Sequence, residues 1–245
     1  MDISYIVTIV VAFTLAGIVK GVAGMGLPPT AVALATLTLP LPDALALMTV
    51  PTLVTNVWQA VVGGRFLELL KRFWPLGVAL AAGVLLSARF LPGLGSPRAI
   101  GYLGVLLIVF AITALTAWRP RVPRAAEPWA NPVSGFVSGL VGGVTGIAAF
   151  PFLPYMQSLD LTKDQLVQAL GILFIFFTAA ITVALARAGA INETNMLGAA
   201  IAMAPTAFGM WLGQKLRGAI SPEMFRKLFL AVMLGLGLHM ARSLL

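Results

Sequence analysis

Cysteine is absent from this chain of 245 residues, histidine occurs once, as His239, and acidic side chains number eight. Without cysteine there are no disulfides, no thiolate nucleophiles and no sulfur-ligated metal. A single histidine disfavours histidine-rich metal sites, so neither a metal nor a cofactor is expected. The carboxylates Asp2, Asp43, Glu68, Glu127, Asp160, Asp164, Glu193 and Glu223 all lie at or between the ends of apolar runs, and none falls in the middle of one. An enzyme would have almost no acid–base or nucleophilic machinery to draw on, and a cation-coupled carrier would lack the usual buried carboxylate. The same scarcity favours anions as the species handled, because nothing buried would repel them.

Charge of either sign is scarce: 10% of residues are charged, against roughly 25% in an average soluble domain, while 60% are hydrophobic. A soluble fold cannot hide so much apolar surface. Runs of near membrane length recur at Ile3 to Ala23, Ala44 to Val62, Phe73 to Phe90, Ala99 to Trp118 and Leu166 to Ala186. The short alternating segments of a membrane β-barrel are missing. The reading is an all-α polytopic membrane protein whose first run, with no basic residue before it and no small-residue cleavage signature, is a retained helix. A net charge of +8 would suggest nucleic acid in a soluble protein. Here the basic residues sit between apolar runs and act as topology signals, so no nucleic-acid partner is expected. Trp74, Trp118, Trp129 and Trp211 lie near run ends, as an aromatic belt requires.

What the chain does have is glycine in a pattern that occurs twice. Gly17-x-x-x-Gly21-x-x-Gly24-x-Gly26 runs into Pro28 and Pro29, and Gly135-x-x-x-Gly139-x-x-Gly142-Gly143-x-x-Gly146 runs into Pro151 and Pro154. Shifting the sequence by about 118 to 121 residues superposes Gly24 on Gly142 and, with a small insertion, Gly26 on Gly146; Gly77 then meets Gly198. The prolines and basic residues of Arg119 to Pro132 separate the copies. The predicted architecture is a first repeat at 1–118, a basic cytoplasmic linker at 119–132 and a second repeat at 133–245. Each repeat holds a glycine-broken helix, a short half-helix (Leu27 to Leu39, Phe150 to Leu159) and three longer transmembrane helices.

Basic residues indicate how the repeats are oriented. If the short segments do not cross the membrane, Arg65, Lys71, Arg72, Arg119, Arg121, Arg124, Arg187 and Arg242 oppose seven others, which is no bias. If they do cross, Lys163, Lys215, Arg217, Arg226 and Lys227 join the first six, leaving Arg89, Arg98, Arg187 and Arg242 opposite. Eleven against four is the asymmetry of the positive-inside rule, and it favours inverted five-segment repeats with both termini outside. Eight crossing helices with two re-entrant pieces is the alternative.

In lipid, unwound backbone survives only where protein buries it or where it lines a wet cavity, so paired breaks point to a transport site near the midplane. Short helices starting after Pro28 and Pro151 would present free N–H groups and a partial positive charge to an anion. The substrate-contacting candidates at the breaks are Gly24, Gly26, Pro29, Thr30, Gly142, Gly143, Thr145 and Gly146. Lys20, basic and inside an apolar helix, would add a charge, or else reach to the interface. Asn56 and Gln59, with Thr178 and Thr182 near the equivalent place, would bind substrate oxygens or bond neighbouring helices, and Tyr155 and Gln168 are candidates of the same kind. For Gly17, Gly21, Gly135 and Gly139 the helix-packing reading of GxxxG comes first.

The runs AGIVKGVAGMGLPPTAVAL, NVWQAVVGGR and SGFVSGLVGGVTGIAAFPFLPY resemble the TauE/SafE family of sulfite and organosulfur-anion exporters. The resemblance covers nearly the whole chain. It implies an inner (plasma) membrane permease that exports small anions such as sulfite, sulfonates or related carboxylates; the paired breaks themselves suggest alternating access around a midplane site, with an anion channel through the same constriction as the alternative. The family's motifs map to Gly17, Gly21, Gly24, Gly26 and Pro29, and to Gly139, Gly142, Gly143, Gly146 and Pro151. One departure, Ala148-Ala149-Phe150 where members often continue with glycine, would narrow or dry the second break and favour a larger or more apolar anion. The partners expected are the anion and the lipid bilayer, with a homodimer as an option.

Overall fold

The computed structural model describes residues 2–87, 97–115, 122–148, 151–216 and 222–244. Among them there is no strand. The helices are α1 (Ile3–Ala23), α2 (Leu27–Ala35), α3 (Leu41–Val62), α4 (Phe66–Ser87), α5 (Pro97–Leu115), α6 (Glu127–Thr145), α7 (Phe152–Ser158), α8 (Lys163–Arg187), α9 (Glu193–Leu216) and α10 (Pro222–Ala241). The order is the same on both sides of the linker: a long helix, a short one, then three long ones. Of these, α1, α3, α4, α8 and α9 are long and apolar enough to cross a membrane, and α5 and α10 carry the shorter apolar stretches Ile100–Leu115 and Phe229–Leu244. This is an all-α, multi-pass membrane architecture.

The short helices are shorter than the sequence suggests. At 1.5 Å per residue, α2 reaches about 14 Å and α7 about 11 Å, against a hydrocarbon core of roughly 30 Å. After α2, the Thr36 and Thr38 hydroxyls bond back to the carbonyls of Val32 and Ala35, closing turns where the apolar run continues. At the linker the deviation runs the other way. Helix α6 begins at Glu127, so the proline-rich residues 127–132 are already helical. Pro128 sits in the first turn, where its missing N–H would have had no partner in any case.

Contacts divide the chain into two compact units, Met1–Thr52 with Leu94–Leu115 and Gly189–Leu245, and Leu53–Gly93 with Thr116–Ala188. Each unit draws elements from both sides of the linker. In the first, α1 packs on α9 through backbone surfaces. A Cβ on Gly17 would lie 2.5 Å from the Thr206 carbonyl oxygen, one on Gly21 would overlap that of Met210, and Gly209 and Gly213 lie equally close to Thr14 and Ile18. In the second, α6 packs on α4 in the same way: Gly135, Gly139 and Gly143 face the carbonyls of Leu76, Leu80 and Val84. Lipid is as apolar as leucine, so helices in a membrane adhere by close backbone approach, which only small residues permit. The GxxxG glycines are therefore packing surfaces.

Candidate functional site

The first break lies wholly in the first unit. Helix α1 ends at Gly24, whose φ of 74° is left-handed and whose N–H donates to the Lys20 carbonyl at 2.8 Å. Gly26, at φ 95°, precedes the first turn of α2. Two left-handed residues in three turn the chain sharply, and a side chain at either would cost about 1–2 kcal/mol in backbone strain. The Thr30 hydroxyl bonds back to the Gly26 carbonyl at 2.7 Å. Lys20 is only 4% exposed, and Pro28, Pro29 and Thr30 are buried. Five predicted site residues, Lys20, Gly24, Gly26, Pro29 and Thr30, thus cluster along one short stretch of chain.

The second break lies in the second unit. Helix α6 ends at Thr145, and the N–H of Gly146, at φ 75°, donates to the Gly142 carbonyl at 2.7 Å. The Thr145 hydroxyl bonds to the Val141 carbonyl at 2.8 Å and accepts from the Ile147 N–H at 3.3 Å, so it caps the turn. Gly142 and Gly143 are not in the break. They sit in the last full turn of α6, Gly142 facing the Phe177 ring and Ala148, Gly143 facing Val84 and Ser87 of α4. Ala149 and Phe150 lie outside the described residues, and Ala148 is buried.

Pairing the two left-handed helix ends, Gly24 with Gly146, sets an offset of 122 residues, one helical turn beyond the Gly24–Gly142 match suggested by sequence. Glycines spaced by four along α6 look alike after a one-turn slip, and only backbone conformation resolves which one ends the helix. At this offset Gly17 and Gly21 match Gly139 and Gly143, Pro29 matches Pro151, and Asn56 matches Thr178. Lys20 matches Gly142. The two breaks are therefore chemically unequal.

The other predicted residues lie in the second unit. Asn56 and Thr178 are 2% and 1% exposed. Gln59 donates to the Val167 carbonyl at 2.6 Å, while Gln168 donates to the Ala60 carbonyl at 2.7 Å and accepts from the Arg65 N–H. The two glutamines form a reciprocal clasp between α3 and α8, and Gly171 lets the backbones meet beside it. Tyr155 of α7 donates to the Asn131 carboxamide oxygen at 2.7 Å, and Asn131 donates to the Arg72 carbonyl at 3.3 Å. Arg72 in turn grips Glu127 in a two-pronged pair at 2.6 and 2.8 Å. This chain of bonds ties α7 to the α4–α6 pair.

Sequence reasoning missed Asn131, Ser134 and Ser138. All three are buried on α6 beside its packing glycines. The signal was present as polar residues at 131, 134 and 138, three and four apart, but serine next to a GxxxG motif passes for one more small packing residue.

No curated protein and no solved structure gives a significant match to the chain. The family model described as sulfite exporter TauE/SafE matches residues 9–240, a span that includes both glycine breaks and the buried face of α6. The chain therefore belongs to the TauE/SafE family of membrane exporters.

Proposed function

We propose that this protein exports small organic or sulfur-containing anions, such as sulfite, sulfonates or related carboxylates, by alternating access, the anion engaging residues at the glycine breaks. The observation that carries the anion reading is Lys20, a buried basic side chain one turn before the left-handed Gly24, in a chain with no carboxylate in the middle of an apolar run. Family membership supports transport as the activity. The breaks support a binding role for local backbone, since non-helical chain in a membrane requires burial or a wet cavity. Export requires no coupling ion: an interior-negative potential drives anions outward by about 2.3 kcal/mol per charge per 100 mV. The inverted arrangement of the repeats rests on the distribution of basic residues, and the plasma membrane as location on the family.

Counterflow in proteoliposomes tests this reading. Vesicles preloaded with an unlabelled anion are expected to accumulate the labelled one transiently, with saturable rates. Flux that neither saturates nor exchanges, with unitary currents far above carrier turnover, would replace the carrier with an anion channel. A thermal-shift screen of sulfite, alkyl sulfonates and carboxylates ranks the substrates.

A further inference from the structure

Every buried residue of α6 is glycine, alanine or polar, while Val133, Phe136 and Val137 of the same helix are exposed. Gly135, Gly139 and Gly143 account for the packing on α4. Asn131, Ser134, Ser138 and Thr145 recur three, four and seven residues apart, so they form a second stripe, about a third of a turn around the helix from the glycines. The ends of that stripe are settled. Asn131 bonds to Tyr155 and to the Arg72 carbonyl, and Thr145 caps the break.

The middle of the stripe is not settled. Ser138 is 0% exposed and Ser134 is 8% exposed, and neither hydroxyl has a hydrogen-bond partner among the described residues. Several hydroxyls elsewhere in these helices bond back to the carbonyl four residues earlier, as Ser87 does to Gly83, Thr113 to Val109 and Thr206 to Ala202, while the buried Thr178 hydroxyl of α8 shares the unpartnered state of the two serines. Ser134 and Ser138 do not bond back in this way. Packing alone does not call for serine here, because alanine would fit the same space without burying an unpaired polar group. A buried hydroxyl left unpaired by the protein needs another explanation, and a ligand is one.

We infer that Ser134 and Ser138 donate hydrogen bonds to the oxygens of the transported oxyanion as it moves along α6 toward Gly146. The inference rests on the transport reading above. One turn separates the two hydroxyls by about 6 Å along the helix. Two O–H···O bonds of about 2.7 Å to neighbouring oxygens of one small oxyanion bridge that span. Neutral donors suit an anion that must also leave, and Arg72 of α4, the cation that bonds to α6, is already taken by Glu127. A halide, with a single acceptor atom, gains less from donors so far apart, so the pair selects sulfite, sulfonates or carboxylates over chloride.

The test is proteoliposome counterflow of the full chain with radiolabelled sulfite and ethanesulfonate as probes and chloride as competitor. Ser138→Ala is expected to raise the KM for both probes about tenfold, the loss of one hydrogen bond to a charged group, with maximal rate and melting temperature close to those of the unaltered chain. Ser138→Thr should restore the KM, and Ser134→Ala should raise it less. An unchanged KM in the double variant Ser134→Ala/Ser138→Ala overturns the serine assignment and leaves the transport reading standing. No saturable flux in the unaltered chain overturns both. Should Ser138→Ala fail to assemble, Ser138→Thr against Ser138→Val carries the comparison, since the two share a shape and differ in the hydroxyl; equal KM values then overturn the assignment.

Discussion

Lys20 is the one buried basic side chain among the described residues, and its place beside a left-handed glycine makes it the residue most exposed to a decisive test. Lys20→Met keeps the length of the side chain and removes its charge. The expected outcome is an anion KM raised about tenfold or more, the equivalent of about 1.4 kcal/mol or more, with an unchanged melting temperature in detergent. Unchanged affinity in purified protein removes Lys20 from the site. Gly146 makes a different claim, about backbone alone. Gly146→Ala should lower stability by about 1–2 kcal/mol because alanine resists φ near 75°, and Gly146→Asn should cost less, since asparagine tolerates that region. Equal melting temperatures for the two variants would show that the left-handed cap is not what holds the end of α6.

Among the helices, adhesion comes from backbone meeting backbone. Gly139 faces the Leu80 carbonyl with no room for a side chain, so Gly139→Leu is expected to separate α4 from α6 and to abolish assembly, whereas Phe136→Ala, exposed on the same helix, should leave it intact. Solubilised yield and melting temperature read the difference. These elements were largely legible in the sequence. Long apolar runs located α1, α3, α4, α5 and α8, and glycine spacing named the packing faces. The start of α6 was hidden because proline reads as linker although it fits a first helical turn, and the pairing of the breaks slipped by one turn because glycines four apart are interchangeable in a sequence. Gln59 and Gln168 looked like substrate ligands for a related reason. A polar side chain in an apolar run shows that it must be satisfied, but only coordinates show that the satisfier is a carbonyl across the helix pair.

For the whole molecule, the open matter is how many times the chain crosses. Since the natural chain has no cysteine, single cysteines report on topology without background. Ser4→Cys and Ala125→Cys, both at exposed positions, are expected to react with an impermeant maleimide from opposite faces of the membrane, the linker from the cytoplasmic side. Labelling from the same face would mean an even number of crossings before the linker and would replace inverted repeats with re-entrant short segments.

The order in which the helices are made bears on the composition of α6. This helix, 19 residues long, is not among those apolar enough to cross a bilayer by themselves, and its buried residues are glycine, alanine and polar side chains alone. Its partner α4 leaves the ribosome first, so a nascent α6 too polar for lipid finds a docking surface already in place. Helix α1 has the opposite problem. Its glycine face must wait for α9, synthesised far later, and α1 is correspondingly apolar, with a mean hydropathy of 2.2. Biogenesis thus permits the polar lining in the later of the two glycine-ended helices and disfavours it in the earlier one.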